Sequence, residues 1–261
     1  MLMFFKSELK RAILSKNMAF AIFICIVSFF LNFDFIYSLL TYSVRGVTYF
    51  YNLSVYGGII SLLFIIIATI PFATSYLDDY SSGYYSSVKD KIGGFKYVIT
   101  KFVVNFIAGG LVIFIPFVLF FLFLLVLKGV SLRDLDYATE VNISLRHIFE
   151  HSQVQYMLLN IILSSIAGAT FSTVALAVSI YTKNKHLVMV FPFLCYIASA
   201  IFLSDYNLNL QMIFNLDTDI NLSMTYRLIY ALFVVLVSIS IFMIKYILDE
   251  KNNKEIAFKS K

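Results

Sequence analysis

Apolar residues gather into six long runs, at about 17–39, 53–76, 102–127, 154–181, 187–203 and 228–248. A membrane-crossing helix needs roughly 20 predominantly apolar residues, and each run is near or above that length. The second run, Leu53 to Tyr76, holds no ionisable group except tyrosine, and the third reads FIAGGLVIFIPFVLFFLFLLVL. A charge at mid-helix would cost roughly 2.5–3.5 kcal/mol in a bilayer, and neither run carries one. Ahead of the first run, residues 1–16 follow a different rhythm. Leu2, Phe5, Leu9, Ala12 and Ile13 recur at helical spacing, with Lys6, Ser7, Lys10 and Arg11 on the other faces. This predicts a basic amphipathic helix lying at the membrane interface; the alternative is a charged, frayed start to the first span. The pattern as a whole predicts an all-α integral membrane protein with six transmembrane helices in residues 17–248.

Composition agrees. Of 261 residues, 61% are hydrophobic and 13% charged, against about 25% charged in water-soluble domains. The formal charge of +5 does not point to nucleic acid, because its distribution follows the runs. With the N-terminus inside, fifteen of the 20 Lys and Arg fall in cytoplasmic segments and five, Arg45, Lys128, Arg133, Arg146 and Arg227, in outer ones. The positive-inside rule then places both termini in the cytoplasm. Outer loops fall at 40–52, 128–153 and 204–227, with a cytoplasmic tail at 249–261. In the last outer loop, LQMIF is too short to span and predicts a shallow, partly inserted helix. Heavy use of Ile, Phe, Asn, Lys and Tyr suggests an AT-rich bacterial genome, hence a bacterial plasma membrane.

The most distinctive cytoplasmic segment is 77–101, longer than a turn between adjacent helices requires. Gly93-Gly94 breaks it, leaving a short helix around Tyr84–Ile92 and a restart near Phe95. Such a surface helix is suited to receive a push from a partner; otherwise the segment is a solvated loop whose lysines only enforce topology.

In layout the chain resembles the membrane subunit of ABC transporters of the type-2 export family, the bacterial ABC-2-type permeases. Members begin with an interfacial elbow helix followed by six spans. Between spans two and three they carry an acidic residue, a glycine four positions later, and a basic stretch ending in a lysine at the start of span three. Asp79, Gly83, Lys96 and Lys101 match those positions, while Ile92-Gly93-Gly94 replaces the family's frequent proline and small hydroxyl residue. The resemblance implies an ATPase-coupling loop that includes Asp79, Gly83, Tyr84, Tyr85, Lys89, Lys91, Lys96 and Lys101. It also implies an interfacial helix using Phe5, Leu9 and Arg11. The chain has no GxxxxGK[ST] run, so the expected partners are two copies of an ABC ATPase subunit, which would hold the ATP and Mg, and a second permease subunit. No cofactor is expected on this chain itself.

Ionisable groups are nearly absent from the spans; Asp34 and Lys245 sit near ends. This disfavours ion-coupled transport and suits an amphipathic or hydrophobic cargo. Membrane-active peptides or toxins lead, with lipids and drugs as alternatives. Ser164, Gly168 and Ser172, four apart, form a face for close helix packing, within the subunit or between subunits. Pro71, Pro116 and Pro192 predict kinks. His147 and His151 fit an HxxEH pattern used by one class of zinc peptidases, but no folded domain surrounds them and no metal site is expected. All three histidines lie in loops, so no intramembrane protease site is expected either. Cys25 and Cys195 sit in apolar runs without CxxC spacing. The rival reading is a membrane assembly or sensor protein that moves no solute.

Overall fold

A computed structural model describes residues 2–42, 45–131, 134, 145–206, 208–210 and 222–259, with the side chains of 204 and 252–259 left aside. Every regular element among these residues is helical: α1 (Leu2–Ile13), α2 (Lys16–Phe29), α3 (Phe33–Thr41), α4 (Val47–Val55), α5 (Ile60–Thr69), α6 (Ser75–Ser81), α7 (Tyr84–Ile92), α8 (Gly94–Lys128), α9 (Arg146–His151), α10 (Gln153–Val178), α11 (Lys185–Phe202) and α12 (Met224–Lys259). The 211–214 part of LQMIF, like Arg133, Asp217 and Asp219, lies outside the described residues.

Four helices are long and apolar enough to cross a membrane: Gly94–Lys128, Gln153–Val178, Lys185–Phe202 and Met224–Lys251. Two bent pairs pass the same test together, Leu2–Ile13 with Lys16–Phe29 at 43° and Val47–Val55 with Ile60–Thr69 at 68°, which brings the count to as many as six. The last four apolar runs thus correspond to α8, α10, α11 and α12. The first two are broken. Run 17–39 divides at residues 30–32, where the Asn32 side chain accepts hydrogen bonds from the Asp34 and Phe35 amides and starts α3 anew. Hydrophobicity alone did not reveal this cap, because one polar residue barely changes the average.

The break at Asn32 is stitched to the neighbouring helix. Asn32 Nδ2 donates to the Leu53 carbonyl, and Ser54 Oγ donates to the Phe29 carbonyl. Irregular backbone at membrane depth persists only when groups freed from the helix ladder find such partners. Run 53–76 breaks at Gly57-Gly58, between α4 and α5, and again beyond Pro71, which follows the end of α5. Pro116 and Pro192 lie inside α8 and α11.

The central helix is α10, which touches α5, α8, α11 and α12. It can sit there because its face toward α8 is made of small residues. A Cβ placed on Gly109 of α8 would lie 2.4 Å from the Ser172 Cβ, and one on Gly168 would lie 2.8 Å from the Gly109 carbonyl oxygen. The backbones approach so closely that polar side chains bridge them. Asn105 Nδ2 donates to the Ser172 carbonyl at 2.7 Å, Ser172 Oγ to Asn105 Oδ1 at 2.9 Å, and Ser165 Oγ to the Gly110 carbonyl at 2.9 Å. Ser164, Gly168 and Ser172 therefore include an α8-packing face inside one chain, with Gly168 and Ser172 at the contact.

The lysine-rich segments share one end of the bundle: α1, α6, α7, the start of α8, the start of α11 and the late turns of α12 are joined there by ion pairs. The opposite end holds α3, the start of α4 and the end of α8. There Val47 N–H donates to the Gly129 carbonyl, Gly46 N–H to Asp134 Oδ1, and Lys128 Nζ to the Leu39 carbonyl. A 35-residue helix such as α8 is about 52 Å long, against a hydrocarbon layer of about 30 Å. Its first turns consequently belong to the lysine-rich end.

Candidate functional site

The segment between α5 and α8 folds into two short helices set off by glycines. Asp78 and Asp79 ride on α6, and the chain then turns through Gly83, whose φ of +74° is one that residues with a Cβ rarely adopt. After α7 it turns again at Gly93, φ +84°, and α8 begins at once. The expected helix over Tyr84–Ile92 is α7. Its inward stripe is Tyr85, Val88, Lys89 and Ile92, while Tyr84, Ser87 and Lys91 face outward. The outward side continues into Phe95, 61% exposed, and the exposed Lys96.

Beneath this loop lies a cluster of four charges. Tyr97 and Lys101, one turn apart on α8, both reach Asp79: the Tyr97 hydroxyl donates to Oδ2 at 2.7 Å, and Lys101 Nζ sits 2.6 Å from the same oxygen. Arg11 on α1 donates to Asp79 Oδ1 at 2.7 Å and lies 3.5 Å from Glu8 Oε1. Glu8 Oε2 closes the set 2.5 Å from Lys101 Nζ. The side chains of Lys101, Glu8 and Asp79 are 2%, 2% and 1% exposed, while Arg11 is 43% exposed. Two cations balance two anions. Taking charges out of water costs several kcal/mol per ion, which close pairing offsets only when geometry is good. Such a cluster therefore adds little net stability but tolerates few arrangements, and it fixes α1, α6 and α8 in one register. Lys101 also lies 4.8 Å from the Phe72 ring centroid and 5.4 Å from that of Tyr97.

Two further links tie the loop to its surroundings. Lys185 at the start of α11 pairs with Asp78 at 2.5 Å. On the other side, Lys89 pairs with Glu250, and the Tyr85 hydroxyl donates to that of Tyr246 at 2.8 Å, which donates to Glu250 at 2.9 Å. The hydrogen bond to Glu250 raises the Lys89 ammonium above its ordinary pKa despite partial burial, so it stays charged at neutral pH. A Cβ on Gly94 would lie 1.9 Å from the Tyr246 hydroxyl, so that ring would have to shift to admit a side chain. Tyr76, Tyr80, Tyr85 and Tyr97 pack ring on ring, with neighbouring centroids 5.3–6.5 Å apart.

The residues expected in the coupling loop thus divide into two groups. Tyr84, Lys91 and Lys96 are on the surface, Gly83 is the turn, and Tyr85 and Lys89 face α12. Asp79 and Lys101 are inside, out of reach of a docking protein, and tie α6 to α1 and α8. On α1, Arg11 joins the cluster, and Phe5 and Leu9 pack on Ala12, Phe72, Val104 and Ala108. Glu8, Tyr97, Tyr246 and Glu250 were not singled out in the sequence. Glu8 left one signal: it is the sole acid on a basic helix and lies one turn from Ala12 on the buried face. The pairings of Tyr246 and Glu250 span about 160 residues and have no local signature.

Comparison with family models, with curated proteins and with solved structures finds no match. The geometry must speak for itself. His147 and His151 are exposed on the six-residue α9, where Glu150 pairs with Arg146 at 2.7 Å. Among the described residues no three His, Cys, Asp or Glu side chains converge as a metal site would require. The buried charge cluster pairs acids with bases where α1, α6 and α8 meet.

Proposed function

We propose that this chain is the membrane-spanning permease subunit of an ATP-driven ABC exporter in a bacterial plasma membrane, with both termini in the cytoplasm. In this reading α2 and the bent α4–α5 pair join the four long helices as the six spans, and α1, bent 43° from α2, is the interfacial elbow helix. The cargo is an amphipathic or hydrophobic peptide. The outward face of α7, with Tyr84, Ser87, Lys91 and the adjoining Phe95, is the contact for a soluble ATPase that binds ATP and Mg, and two ATPase subunits with a second permease subunit, identical or related, make the working transporter.

The observation that carries this reading is the mounting of α7. A loop that only set topology would need no buried base, yet here α7 stands between two glycine turns over a fully buried Asp79–Lys101–Glu8 cluster. A push on α7 has three helices in reach: α8 through the Tyr85–Tyr97 ring contact, α1 through Arg11 against the Tyr84 ring, and α12 through Lys89 and Tyr85. The two turns, Gly83 and Gly93, are where α7 would hinge against its anchors.

The test is co-purification with a P-loop protein encoded beside this chain's gene. Replacing Tyr84 with Ala and Lys91 with Glu should release the ATPase while the permease still inserts and keeps its thermal stability. Reporter fusions placing residues 77–101 on the outer face would overturn the assignment.

A further inference from the structure

At the opposite end of the bundle a polar seam runs between α4 and α10. Thr48 and Asn52 on α4 and Tyr56 just past its end stand one turn apart, and Gln153, Tyr156, Asn160 and Ser164 follow one another along α10. Two rungs join the helices: Thr48 Oγ1 donates to Gln153 Oε1 at 3.4 Å, and the Tyr56 hydroxyl donates to Asn160 Oδ1. Between those rungs lies Asn52, 1% exposed, and neither its amide oxygen nor its amide nitrogen has a hydrogen-bond partner among the described residues. The Asn160 Nδ2 and the Tyr51 hydroxyl are in the same position. Below Tyr56 the seam opens into a cavity of about 50 Å³ lined by Tyr56, Ser61, Phe64, Ser164 and Tyr196, among others.

A buried amide left without partners costs about 1–3 kcal/mol, and native interiors almost always satisfy such groups, with protein or with ordered water. The seam supplies polar partners at several points, and the cavity at its Tyr56–Ser164 end supplies room. A water needs at least about 10–15 Å³ of such space, so the cavity holds about three. We propose that the α4–α10 seam is a binding site for water, a short hydrated path entering beside Thr48 and Gln153, passing Asn52 and ending in the cavity at Ser164. The waters bond Asn52 and Asn160. The path also explains why α4 can be bent 68° from α5 at membrane depth, because water solvates the polar face that the bend leaves between the two helices. The inference does not depend on the exporter reading and concerns the other end of the molecule.

Silver ion is small enough to follow a file of water and binds a cysteine thiol with release of its proton, after which a maleimide no longer labels that cysteine. In a C25A/C195A background reconstituted in vesicles, silver is added to both sides. The protein is then unfolded and maleimide labelling is read. S164C should lose its labelling, while V112C, fully buried on α8, should keep it over the same time. Adding N52L to S164C should restore the labelling by closing the path, with circular dichroism verifying that the variant is folded; N160L serves the same purpose if N52L is not. Equal labelling of S164C and V112C after silver would overturn the proposal. So would loss of S164C labelling that neither N52L nor N160L slows, because the route would then lie elsewhere.

Discussion

Replacing Lys101 with Met removes one charge from the buried cluster without changing much of its bulk. Lys101 is the group that holds both acids, at 2.5 Å from Glu8 and 2.6 Å from Asp79. In its absence Arg11 remains 2.7 Å from Asp79 but is 3.5 Å from Glu8, so one carboxylate inside the bundle is left poorly compensated. Breaking a buried pair from one side costs roughly 3–5 kcal/mol, a large share of the 5–15 kcal/mol by which domains are stable. Glu8→Gln should cost less than K101M, because Lys101 keeps Asp79 and the Gln side chain can still bond. The double variant E8Q/K101M restores neutrality, with Arg11 and Asp79 still paired, and should recover about 1–3 kcal/mol of the loss as coupling between neighbours. Unfolding by SDS titration, read by circular dichroism, gives all four corners of this cycle. A K101M variant within about 1 kcal/mol of the parent, or a double variant less stable than K101M, would refute the view that these charges act as one closed set.

Three further predictions follow from the geometry. Gly109→Ala should destabilise the bundle by roughly 1–3 kcal/mol, because its Cβ would lie 2.4 Å from the Ser172 Cβ; thermal melting checks this, and an unchanged midpoint would mean that α8 and α10 are not in such close contact. If the chain is the proposed permease, reversing either member of the Lys89–Glu250 pair, K89E or E250K, should reduce stimulation of the partner ATPase, and the swap K89E/E250K should restore part of it, a rescue that a purely surface role for Lys89 would not give. Burial raises the Asp134 carboxyl above its ordinary pKa, against the opposing hydrogen bonds from the start of α4. A raised carboxylate pKa means the folded state binds the proton more tightly, so stability should increase as pH falls from neutral through that pKa and level off below the unfolded value. D134N should abolish this slope and keep the acceptor for the Gly46 amide, while D134A should lose that cap at a cost of about 1 kcal/mol; melting curves across pH separate the two.

What the sequence makes legible follows from how far apart the partners are. Apolar runs report on a solvent, and a solvent acts on every residue of a helix, so α8, α10, α11 and α12 are visible in hydropathy alone. The two glycine turns around α7 are equally local, since a residue without Cβ is needed where the backbone goes to positive φ. The broken spans are less visible, because Asn32 and the Gly57-Gly58 pair interrupt runs whose average stays apolar. Least visible are pairings at long range. Lys101 and Asp79 could be singled out only as members of a basic and acidic loop, and nothing in their spacing says that they face inward toward Glu8, 93 positions from Lys101 along the chain.

That difference changes the mechanism and not only the picture. Were Asp79 and Lys101 surface groups, their charge would act by attracting a partner and would be screened by salt over about 8 Å at physiological ionic strength. Buried and paired, they are little affected by salt and instead hold α1, α6 and α8 together. On the proposed exporter reading, salt should therefore weaken the association of a soluble ATPase, through Lys91 and Lys96, without loosening the buried cluster beneath. A variant of the surface lysines should lose binding and keep its melting temperature, whereas a variant of the buried set should lose both. Finding the reverse, a salt-sensitive melting transition with salt-insensitive association, would mean that the charges in this loop had been assigned to the wrong sides of the helix.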